Sequence, residues 1–63
     1  MLFSVGQEYW LKGTESRANM RVVVVASQLD ANGDWTYQLK DNESQLIEGG
    51  KYFPEDDLSN NQD

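Results

Sequence analysis

Nowhere in this chain do apolar positions recur at the three-to-four spacing of an amphipathic helix. The period that does recur is two, the spacing of strands whose side chains alternate between faces. Trp35-Thr36-Tyr37-Gln38-Leu39-Lys40 sets Trp35, Tyr37 and Leu39 to one side and Thr36, Gln38 and Lys40 to solvent. Before it, Met20 to about Gln28 contains Arg21-Val22-Val23-Val24-Val25-Ala26, β-branched and apolar on both faces. A run of that kind is buried on both sides, or lies where a sheet bends over itself. Between the two, Asp30-Ala31-Asn32-Gly33-Asp34 carries an Asn-Gly pair, the strongest short-range hairpin signal. The pattern therefore predicts a long antiparallel hairpin at the centre of the chain.

The same spacing predicts a first strand over Val5–Lys12, with Phe3, Val5, Tyr9 and Leu11 facing a core and Glu8, Trp10 and Lys12 facing out. Gly6 interrupts it, as a bulge or a close backbone approach does. Gly13–Asn19 is polar and reads as a loop. After a turn at Asp41–Ser44, Gln45–Glu48 is a short fourth strand. Gly49-Gly50 then allows a sharp reversal into Lys51-Tyr52-Phe53. Pro54, lacking an N–H, ends regular pairing. Glu55-Asp56-Asp57 fits one helical turn, with its acids at the end the helix dipole favours. Residues 59–63 contain no apolar side chain and read as a disordered tail after a single domain over 1–58.

Size sharpens this picture. A chain of 63 residues buries only about 60% of the surface its unfolded form exposes, so every large side chain counts. There is no cysteine and no histidine, which removes disulfides, thiolate metal sites and the usual general base. No motif sets a nucleophile beside a base, and so small a domain offers no deep pocket, so an enzyme is not expected. No cofactor is expected either. Neither a basic, apolar leader nor an apolar run of membrane-spanning length occurs in the sequence. The default reading is a soluble intracellular protein, either whole or a module of a longer one. Oligomeric state is not legible.

The formal net charge of −6 is unevenly placed. Glu8, Glu15 and Asp30 cancel Lys12, Arg17 and Arg21 in the first half. In the second half only Lys40 and Lys51 oppose eight acids. This argues against a nucleic-acid partner, whose phosphates need cations. It suits a basic protein or peptide, and it also serves solubility.

Five short strands with one helical turn before the last segment, where Leu58 would plug an end, describe an all-β, five-stranded SH3-like barrel. Val5-Gly6-…-Tyr9-Trp10-Leu11-Lys12 resembles the V-G-x-x-V-Y-L opening of Tudor-type and chromo-barrel modules. Trp35-x-Tyr37-x-Leu39 followed by Tyr52-Phe53-Pro54-Glu55-x-Asp57-Leu58 resembles their W-x-Y-x-L … W-V-P-E-x-D-L ending, also found in short fungal domains. The likeness covers roughly residues 3–58. The A-L-Y-D-Y segment of signalling SH3 domains is missing, which weighs against proline-rich ligands.

The resemblance implies a cage of aromatic rings with an acid at its rim, holding a methylated lysine by cation–π attraction of about 0.5–2 kcal/mol per contact. Carried over, Trp10 and Tyr52 are the exposed rings and Glu55 or Asp56 the acid. Trp35 and Tyr37 complete the candidates, although a thin core also needs rings simply to fill it. Glu55-Asp56-Asp57 has the matching bland reading of a solvated turn. Asp30-x-Asn32-x-Asp34 begins like a calcium loop, but Trp35 and Asp41 stand where that loop needs Gly and Glu, so it reads as a turn. Lys12, Arg17 and Arg21 could grip a phosphate, or pair with Glu8 and Glu15. The alternative to peptide recognition is an assembly module pairing through a strand edge, in which Val23, Val25, Leu46 and Ile47 would matter.

Overall fold

In a computed structural model, which describes residues 3–60, the centre is the expected hairpin. β2 (Met20–Leu29) pairs antiparallel with β3 (Trp35–Lys40), with Val24 opposite Leu39 and Leu29 opposite Trp35. The register shifts between Val24 and Ala26, leaving Val25 as the extra residue of a β-bulge. A bulge bends its strand and increases its twist. Val22 and Val24 are buried while Val23 and Val25 are half-buried. The double-sided valine run thus belongs to a bent strand.

The Asn-Gly signal marks the turn but not its form. Asp30 N donates to Asp34 O at 2.8 Å and Gly33 N to Asp30 O at 3.1 Å, enclosing three residues. Only Gly33 is left-handed (φ 82°), the three-residue hairpin that ends in a glycine bulge. The Asp30 carboxylate fastens the turn, its Oδ1 accepting from Asn32 N and Asp34 N, both at 2.9 Å. Asp41–Gln45 repeats this pattern bond for bond. Asp41 Oδ1 accepts from Glu43 N and Gln45 N, and Ser44 (φ 65°) stands where the first turn has Gly33.

β1 (Glu8–Leu11) lies on the other side of β2, with Tyr9 opposite Val22. Gly6 (φ 90°) forms a bulge ahead of it: Gly6 N donates to Val24 O and Val24 N to Gln7 O. Pairing therefore starts later than the alternation predicts. The extra residue also breaks the parity, so that Val5, expected inward, is 53% exposed while Phe3 still reaches the core.

The largest departure from the sequence reading is at Gln45–Glu48, which is not a strand. Leu46 forms one isolated bridge with Lys40, and Ile47–Gly49 is a 3-10 turn. Glu48, Gly49 and Gly50 take successive φ values of 49°, 71° and 101°, which no strand can contain. β4 (Tyr52–Pro54) then pairs with β3, and Glu55–Asp57 forms the expected helical turn. β5 (Leu58–Ser59) returns to β1, with Leu58 opposite Leu11 and Ser59 opposite Trp10. Ser59, read as the start of a disordered tail, is thus paired in the sheet. Residues 61–63 of that tail lie outside the described residues.

The result is all-β: one antiparallel sheet in the order β4-β3-β2-β1-β5. Its inner face holds Phe3, Leu11, Val22, Val24, Tyr37, Leu39, Phe53 and Leu58, with Ile47 from the 3-10 turn. Phe3 stacks edge-on against Tyr9 and Tyr37, with ring centroids at 4.6 and 5.5 Å. Among the described residues no helix is long and apolar enough to cross a membrane.

Candidate functional site

Two acidic turns meet beside one tryptophan. Trp35 opens β3 directly after the hairpin turn, and cross-strand pairing of Thr36 with Pro54 brings the start of the second 3-10 turn alongside it. Asp30, Asp34, Trp35, Pro54, Glu55 and Asp56 line a surface pocket of about 210 Å³. Trp35 is half-buried, its inner edge packed against the core. The pocket lining thus comprises one tryptophan, one proline and four acidic residues.

Two of the four carboxyl groups are held from behind. Asp30 is anchored through Oδ1, which accepts from two turn amides. Glu55 Oε2 accepts a hydrogen bond from the Tyr37 hydroxyl. Tyr37 is fully buried, so its ring has no face to offer a ligand. Its phenol links the core to the rim of the pocket.

The six sequence candidates therefore separate into three places. Trp35, Glu55 and Asp56 line the pocket. Tyr37 lies beneath it. Trp10 and Tyr52 lie on the outer face of the sheet, since their neighbours Leu11 and Phe53 point inward. They sit in β1 and β4, with β2 and β3 between them. Trp10 already has a cation: the Arg21 guanidinium is 5.2 Å from its ring centroid, and Arg21 Nη2 lies 2.9 Å from Glu8 Oε1. Tyr52 lies opposite Gln38.

Asp30, Asp34 and Pro54 join the lining, although on sequence grounds the first two read as a calcium-like turn and the third as a strand breaker. Their sequence signal was adjacency: Asp34 and Glu55 directly neighbour Trp35 and Pro54. The calcium-like spacing at Asp30–Asp34 forms a turn whose first carboxylate accepts from two turn amides through Oδ1. Among the described residues no three acids are grouped to hold a metal ion.

The basic candidates do not converge. Arg21 serves Glu8 and Trp10, whereas Arg17 binds Glu48 Oε2 at 3.2 Å and Lys12 O at 3.0 Å. Arg17 thereby closes the 13–19 loop, together with Gly13 N donating to Asn19 Oδ1 at 2.6 Å. Of the assembly candidates, Leu46 is exposed but Ile47 is buried in the core. The sheet edges β4 and β5 are three and two residues long. Comparison with protein-family models, with curated proteins and with solved structures finds no match to this chain.

Proposed function

We propose that this chain is a non-enzymatic interaction module, a Tudor-like barrel of the SH3-like type, that holds a basic or methyl-lysine-bearing peptide in the Trp35 pocket. The observation that carries the reading is one pocket lined by the half-buried Trp35 together with four acidic residues, Asp30 with Asp34 and Glu55 with Asp56. A cation entering there meets a π-face and negative charge together, and the two attractions act in the same direction. The net charge of −6 adds a field that draws basic partners in.

Support for the barrel is the position of the two sheet edges. β4 and β5 are separated in sequence by only three residues, and Phe53 and Leu58 from those edges share one core with Leu11. Two edges feeding one core are what a sheet curling toward a barrel would give, and this supports the reading. The pocket is shallow and its contact area small, so affinity belongs at the weak end.

Titration of the isotope-labelled chain with basic peptides, followed by NMR, tests the reading. The expected result is a set of shifts at the Trp35 indole N–H and at the amides of Asp30, Asp34, Glu55 and Asp56. Shifts confined to Trp10 and Tyr52 would move recognition to the outer face. Silence at Trp35 with every basic peptide would remove the reading.

A further inference from the structure

We infer that the side chain this pocket selects is an unmethylated arginine. The inference rests on the proposed peptide-binding reading and narrows it. A trimethylated ammonium has no N–H to donate, so it depends on several rings surrounding it. The pocket offers one. Trp35 is the single aromatic residue in its lining, while Tyr37 is enclosed in the core and Trp10 and Tyr52 lie on the outer face.

What the pocket has in excess is hydrogen-bond acceptors. The four acidic residues of its lining come from two separate turns next to Trp35, and two of their carboxylates are held by the fold, Asp30 by turn amides and Glu55 by the Tyr37 hydroxyl. A guanidinium is planar, stacks on an indole, and presents five N–H donors around its edge to carboxylates on either side. Lysine carries the same charge, but as a compact, strongly hydrated ammonium that cannot stack. The chain contains its own example of the arrangement. Arg21 lies over Trp10 at 5.2 Å while bonding Glu8 at 2.9 Å. The Trp35 pocket supplies the ring and the carboxyl groups without an arginine in its lining.

The test is titration of the full 63-residue chain with otherwise neutral five-residue peptides carrying one arginine, lysine, trimethyllysine or citrulline. Binding is read at the Trp35 indole N–H. The expected result is arginine tighter than trimethyllysine and citrulline by about tenfold or more, with lysine between. In the Asp34→Asn, Asp56→Asn double variant the preference for arginine over lysine should shrink, and far-UV circular dichroism should not change. Trimethyllysine or lysine binding as tightly as arginine would overturn the inference and leave the basic-peptide reading standing. So would an undiminished arginine preference in the double variant. If no peptide moves Trp35, both fall together.

Discussion

Removing the Tyr37 hydroxyl should weaken the fold and the site at once, and Tyr37→Phe does this with little disturbance of packing. Tyr37 is fully buried and its ring stacks edge-on with Phe3 at 5.5 Å. Phenylalanine refills that volume, so no cavity term arises. What is lost is the bond to Glu55. A hydrogen bond to a charged group contributes about 1.5–3 kcal/mol net. Glu55 is only half-buried and can recover water when released, so the loss belongs near the lower end, about 1–2 kcal/mol. For a domain of this size that lowers Tm by about 4–15 °C. Holding that carboxylate less firmly before binding should cost about 0.5–1.5 kcal/mol on binding, or roughly a two- to tenfold rise in Kd. Thermal unfolding by circular dichroism and peptide titration of the same preparation measure the two effects. A Tm within about 2 °C of the parent, with unchanged Kd, would refute the contact itself. A lowered Tm with unchanged Kd would leave Tyr37 a structural residue with no part in positioning Glu55.

The two matched turns differ at one position, Ser44 (φ 65°) against Gly33 (φ 82°). Ser44→Gly should raise stability by about 0.5–1 kcal/mol, read as an increased urea midpoint at constant m. Glycines 13 and 33 are called for by different physical demands. A Cβ at Gly33 meets nothing within 4 Å, so Gly33→Ala should cost only the left-handed backbone, about 1 kcal/mol. A Cβ on Gly13 would lie 2.4 Å from Arg17 O and 2.8 Å from Asn19 N, both backbone. Gly13→Ala should therefore be the more destabilising in chemical denaturation, and equal losses would contradict the packing described for the 13–19 loop. Trp35→Ala should abolish peptide binding by NMR. Raising salt from about 0.1 to 1 M, which shortens the Debye length from about 10 to 3 Å, should weaken the parent's binding several-fold.

The elements that depend on near neighbours were legible from the residues alone. A continuous β-branched run marked β2, period-two alternation marked β3, and the left-handed preference of glycine marked the turn at Gly33 and the bulge at Gly6. The acidic triplet after Pro54 formed its single turn. Tyr37, Leu39 and Leu11 were identifiable as inward-facing because parity is a local property. Parity failed where the backbone inserted or reversed something. The Gly6 bulge exposed Val5, and three consecutive positive φ values turned Gln45–Glu48 out of strand geometry despite its apolar pair.

Tertiary structure alone decided which side chains share a site. Trp10 and Tyr52 resemble a pair in sequence, yet two intervening strands keep them apart. Trp35 and Glu55 are twenty positions distant and line one pocket, because β4 pairs with β3. Spacing along a chain governs only residues a few positions apart. Contacts across a sheet follow from strand order, register and bulges, each of which depends on the whole core being assembled.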